Sequence, residues 1–128
     1  MTSCGVWPTN RGLVAVIHSA DRSHRFAIAD TDAARWGLAQ RLAAVGADLV
    51  VDETLLEADR IAYVALHAGV TVWIAAPPLT ASLRSVAGIT RRGARPSAAL
   101  LVRIPAIPWL QSFLRRLEPP DNRQIPLL

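Results

Sequence analysis

The chain has no lysine, and it has no acid between Arg60 and Leu117. Eight arginines lie in that acid-free stretch, and all ten acids fall outside it, eight of them before Arg60. Residues 1–59 carry five arginines against eight acids, a balance of −3, and residues 60–128 carry nine against two, a balance of +7. A basic half joined to an acid-bearing half suits a polyanion held beside carboxylates, which points to nucleic acid. With arginine as the only strong cation, any phosphate contact is bidentate rather than a point charge. Only one cysteine, Cys4, is present, which excludes an intrachain disulfide and fits a reducing cytoplasm. Residues 1–12 lack the basic-then-apolar order of a signal peptide. The longest apolar run, around residues 65–76, is too short to span a bilayer and ends at Pro77-Pro78. These absences predict a cytoplasmic protein without membrane contact. Its 128 residues are enough for one core.

What is present alternates between apolar runs and capped periodic segments. Residues 13–17 read as a buried strand, and 25–29 as its hairpin partner across the polar turn 19–24. Asp30 or Thr31 can cap a helix from Asp32, with Trp36, Ala39, Leu42 and Ala43 at helical spacing and Gly46 as the stop. Residues 48–51 form a second buried strand ending in Asp52 and Glu53. Thr54 and Glu57 make a capping box that opens a helix through Ala68, which Gly69 ends. Residues 70–75 are a third strand. This order predicts an α/β sheet whose later strands are parallel. Beyond a short helix from Pro77 to Gly88 come the basic loop 90–96 and two short helices over 97–104 and 108–117. A tail without fixed structure begins at Pro119. The expected division is a domain over 1–104 and a C-terminal helix with a flexible tail over 105–128.

Asp52 and Glu53 are the candidate catalytic pair, because sites in α/β sheets gather at the carboxyl ends of strands. Asp52 is also the candidate metal ligand, since hard divalent cations take oxygen donors. The competing reading is that one of the two only caps the next helix. His18 and His24 flank the first hairpin turn, where a polar turn role outweighs a shared metal, and His67 suits a helix C-terminus. Arg91, Arg92 and Arg95 are the densest charge, and Arg84 and Arg103 join them as candidate nucleic-acid contacts. Trp109 and Phe113 could stack on bases, but their spacing with Leu110 and Leu117 assigns them to the core.

The order strand, histidine-bearing turn, strand, helix, acid-ended strand, helix, strand, proline resembles the RuvC-like N-terminal domain of Piv-type insertion-sequence transposases. In that family the first strand ends in an Asp followed six residues later by a His. Here His24 matches that His, and His18 stands where the Asp should be. Asp52 lies seventeen residues before Gly69, as the family's middle-strand acid does before its glycine. Val70-Thr71-Val72-Trp73-Ile74-Ala75 and Pro77 resemble the family's next strand and turn. The likeness covers roughly residues 13–103 and implies a RuvC/RNase H-like sheet flanked by helices, a DNA partner and Mg²⁺.

Three departures accompany it. Ala94-Arg95-Pro96-Ser97-Ala98-Ala99 holds no carboxylate where the family has its Lys-Thr-Asp-x-x-Asp-Ala motif. The opening three-stranded meander looks one strand short. The 128 residues reach no further than the family's RuvC-like domain would, short of its helical region and C-terminal transposase domain. Two-metal phosphodiester chemistry needs several carboxylates, so one Asp helped by Glu53 implies a chain inactive on its own. Three functions stay open: metal-dependent DNA cleavage and transfer, non-enzymatic DNA binding, and an interaction module whose Arg-rich half meets an acidic partner. A homodimer, or association with other transposase segments, is compatible with each.

Overall fold

A computed structural model describes residues 2–19, 22–75, 102 and 114–118, the side chains of residues 57 and 58 excepted. Three antiparallel strands open the chain: β1 (Thr2–Thr9), β2 (Gly12–Ser19) and β3 (Arg22–Ala29). Helix α1 (Asp32–Val45) follows, then β4 (Asp48–Asp52), α2 (Glu53–Ala58), α3 (Ile61–His67), β5 (Val72–Ala75) and β6 (Leu114–Arg116). They form one mixed sheet in the order β3-β2-β1-β4-β5-β6. Strand β4 is parallel to both β1 and β5. The expected α/β class is therefore present, and the expected hairpin is the β2–β3 pair.

Strand β1 is an addition to the predicted elements, and it supplies the strand that the opening meander looked to lack. Gly5 and Pro8 disguise it, since both are disfavoured within strands. Gly5 is buried between Val16 and Val50 in the middle of the sheet. Pro8 lies past Gly5, the last β1 residue paired with β4, so its missing N–H costs that ladder nothing. The β1–β2 turn closes at Gly12, where φ is +145° and an added Cβ would overlap the carbonyl oxygen of Ile28. Only glycine meets both demands.

Helix α1 has the predicted limits. Thr31 accepts from the Ala34 N–H at 3.1 Å, and Gly46 ends the helix at φ 68°. Its buried stripe is Leu38, Ala39 and Leu42, while Trp36 and Ala43, expected on that face, are exposed. Alanines surround this helix, so spacing alone does not pick its inner side. The single helix expected over 54–68 is two helices, broken at Asp59-Arg60. Asp52 caps α2 in place of the expected Thr54, which lies inside the first turn.

One face of the sheet carries Cys4, Val6, Leu13, Ala15, Leu49, Val51, Val72 and Ile74, every second residue along β1, β2, β4 and β5. Against it pack Leu38, Ala39 and Leu42 of α1, Leu55 of α2, and Ile61, Ala62 and Ala65 of α3. On the opposite face Val16 packs with Val102, Trp7 and Val14, and Ser3 donates to the Val102 carbonyl at 2.9 Å.

The helix expected over 108–117 does not hold at its end, because Leu114–Arg116 pairs antiparallel with β5 and the Leu117 N–H bonds the Val72 carbonyl. A β5 edge offering unpaired groups outweighs the helical spacing there. The expected helix at 77–88, the basic loop 90–96 and the tail past 119 lie outside the described residues. So does most of the expected helix over 97–104. Among the described residues no helix is long and apolar enough to cross a membrane.

Candidate functional site at the carboxyl end of the sheet

Strands β1, β3, β4 and β5 all run in one direction, so their carboxyl ends share one rim of the sheet. Asp30 and Asp32 follow β3, Asp52 ends β4, and Glu53 and Asp59 come just after. Five carboxylates thus reach the rim where sites in α/β sheets gather.

Among the described residues Asp52 is the one charged residue in the core, 2% exposed. Its Oδ1 accepts from the Thr54 N–H at 2.9 Å and the Thr54 hydroxyl at 2.6 Å. This is the geometry of a helix cap, which satisfies an otherwise orphaned N–H. Glu53 is half-exposed, with Arg115 Nη2 3.5 Å from its Oε1.

The other three acids turn toward Arg35. The Arg35 guanidinium donates to both oxygens of Asp59, Nε to Oδ1 at 3.0 Å and Nη2 to Oδ2 at 2.9 Å. Nη2 also donates to Asp30, and Asp32 lies 3.7 Å from Nη1. The Arg35 and Asp59 side chains are only 11% and 12% exposed. Hydrogen bonding to Asp59, opposed by burial and aided by Asp30, holds the Arg35 pKa above its ordinary value. Asp59 also accepts from the Ile61 N–H at 2.8 Å, so one carboxylate starts α3 and anchors it to α1. That double engagement is the physical reason the expected long helix breaks. The only sequence trace of it is an Asp, a poor interior helix residue, placed before Arg60.

The histidines do not join this rim. His18, expected where a first acid would stand, lies on β2 level with Ser3 of β1, and Ser3 is level with Asp48 at the start of β4. Asp52 is four residues further along β4, roughly 13 Å away at strand rise. The strand beside β4 is β1, not β2. The pairing of β1 with β4 ends at Gly5–Val50, two residues short of Asp52. His18 and His24 sit at neighbouring register positions on opposite faces. His18 Nδ1 bonds the Ser23 hydroxyl at 2.8 Å, and the His24 ring lies 5.8 Å from Phe26. His67 falls in the last turn of α3, as expected, with its ring 6.1 Å from that of Trp36.

Arg84, Arg91, Arg92, Arg95 and Arg103 lie outside the described residues, as does Asp21. Arg115 and Arg116 are exposed on β6.

These residues do not fit the Mg²⁺ that the resemblance implies. Among the described residues no group of three or more acid, histidine or cysteine side chains converges on one point. Asp52 Oδ1 is turned to two hydrogen-bond donors, and Asp30, Asp32 and Asp59 face a guanidinium. A hard cation needs several free oxygens at one point.

The fold and rim define an α/β domain with a mixed sheet and a carboxylate edge paired in part with arginine. No protein-family model matches the chain, and no curated protein does.

Proposed function

We propose that the chain is a RuvC/RNase H-like domain of the transposase type that binds DNA and performs no metal-dependent strand chemistry by itself. The observation that carries this reading is the placement of Asp52. It is a buried acid at the end of a strand that follows a three-stranded meander and a helix and lies parallel to the first strand. That is the arrangement the resemblance implies, with β1 supplying the strand that was expected to be missing. Strand β1, the neighbour of β4, contains no acid that could offer an anionic oxygen to a cation beside Asp52. Asp52 and Glu53 thus mark a site position that no group of three or more acid, histidine or cysteine side chains completes among the described residues. The surplus of arginine after residue 60 supports phosphate binding without base readout.

The test is a fluorescence-anisotropy titration of duplex DNA across a salt series, with and without Mg²⁺, followed by nicking of supercoiled plasmid. Weak binding that falls steeply with salt, ignores Mg²⁺ and varies little with sequence is the expected result. Replacing Arg91, Arg92 and Arg95 together with Ala should weaken binding to all sequences alike and flatten the salt slope. Nicking abolished by Asp52→Asn would restore the enzyme. Affinity indifferent to salt and to the triple substitution would end the DNA reading.

A further inference from the structure

Among the described residues strand β3 ends the sheet on the side away from β6, and six of its eight residues are exposed. Its register with β2 is continuous from Arg22 to Ala29, without a bulge. An edge strand of this length presents a row of backbone N–H and C=O groups to any further strand. Proline, a bulge and a very short strand are absent from it, and the one blunting device it carries is charge, in Arg22 and Arg25. Strand β6, at the other edge, has three residues only.

Charge along this edge is polarised. Arg22 and Arg25 lie in the first half of β3, and no acid occurs from residue 22 to 29. Asp30 and Asp32 follow immediately, with side chains 70% and 75% exposed. A second β3 laid antiparallel about a two-fold axis through Phe26 would set Arg22 opposite Asp30 of the second copy, on the face that carries Phe26. Phe26 would oppose Phe26, and Arg25 would oppose Ala27, so no like charges stand directly opposite one another. A parallel, in-register pairing would set Arg22 against Arg22 and Arg25 against Arg25, which is repulsive. The edge is thus complementary to itself in one orientation, as an isologous contact requires.

We propose that two copies of this chain associate edge to edge through antiparallel β3 strands, joining their sheets into one. A contact confined to one strand and its flanks falls at the small end of stable interfaces, so the dimer is weak and concentration-dependent.

Sedimentation equilibrium of the full chain over a concentration series tests this. The expected result is a monomer–dimer equilibrium. Arg22→Glu with Arg25→Glu should weaken it at least tenfold, by setting a new acid directly opposite Asp30 of the second copy. Both arginines are exposed, so circular dichroism of the double variant should be unchanged. Ala27→Pro, which removes an N–H from the edge strand, should also reduce association. If that variant fails to fold, the double variant still decides. A chain monomeric at every concentration, or a dimer indifferent to the double variant, overturns the proposal. A monomer that instead captures polyglutamate through Arg22 and Arg25 overturns it in favour of an acidic peptide as occupant.

Discussion

The two ends of the sheet solve the same problem with different chemistry. At the carboxyl end five acids gather, and for four of them the cation nearby is an arginine of the chain itself, Arg35 for three and Arg115 for one. The amino end is nearly neutral: Thr2 donates to Ser19 at 3.1 Å, His18 meets Ser23, and the Trp73 indole N–H donates to Asp48 at 3.0 Å. Both ends satisfy their polar groups locally, but only the carboxyl end does so with opposed charges, one pair of them nearly buried. Carboxylates at a strand end are therefore insufficient evidence for a metal site. What matters is whether a built-in cation has already claimed them.

The largest test of this contrast is Arg35→Ala. It leaves Asp59 almost buried without its bidentate partner and unties α3 from α1. Breaking such a pair from one side costs on the order of 3 kcal/mol, because the remaining charge is left uncompensated. Chemical denaturation should read a loss of about that size, and Arg35→Lys should recover only part of it, since an ammonium cannot grip both oxygens in one plane. A loss below about 1 kcal/mol would mean that the carboxyl end is held no more tightly than an ordinary surface pair.

Alkaline pH provides a background against which to read the two ends. Cys4 is buried in the central strand, and burial pushes its thiol from 9.0 up to about 12, with Arg41 lowering it in part. The folded protein holds the neutral thiol while the unfolded chain ionises. Stability from this group is therefore complete below pH 9.0 and is lost as pH rises towards about 12, by about 1.4 kcal/mol per unit. Cys4→Ala should flatten the stability profile in that window.

Much of the fold was legible from residues because its signals are local. Thr31 and Gly46 bracket α1, the apolar runs 48–51 and 70–75 mark β4 and β5, and Asp52 was placed at a strand end. What escaped notice depends on distant partners. Strand β1 hides behind Gly5 and Pro8 and is revealed only by its neighbours β2 and β4. The break at Asp59 comes from Arg35, twenty-four residues earlier in the chain. Strand β6 forms because β5 has an open edge, overriding a helical spacing. His18 was misplaced for the same reason, since once β1 is unseen β2 becomes the apparent first strand.

Asp52→Ala should have an intermediate effect, a loss of about 1–2 kcal/mol, the range for removing an N-cap. Asp52→Asn keeps an oxygen for the Thr54 N–H and should lose less. Thermal melts with and without Mg²⁺ extend the measurement, and none of the three proteins should shift with the metal. A rise in melting temperature for the unmodified chain alone would show that Asp52 serves a cation as well as a helix.

The smallest effect should come from the amino end. The His18–Ser23 pair is a cross-strand hydrogen bond between β2 and β3, with Ser23 exposed and His18 half-buried. Such pairs contribute about 0.2–1 kcal/mol, because water replaces the lost partner at an exposed site. Ser23→Ala should therefore cost about 0.5 kcal/mol, several-fold less than Arg35→Ala, and the two losses should add, since the residues share no partner. Measuring both single variants and the double variant by the same denaturation midpoint checks this. A Ser23→Ala loss as large as that of Arg35→Ala would erase the contrast between the ends. A strongly non-additive double variant would mean that the two ends are coupled through the sheet.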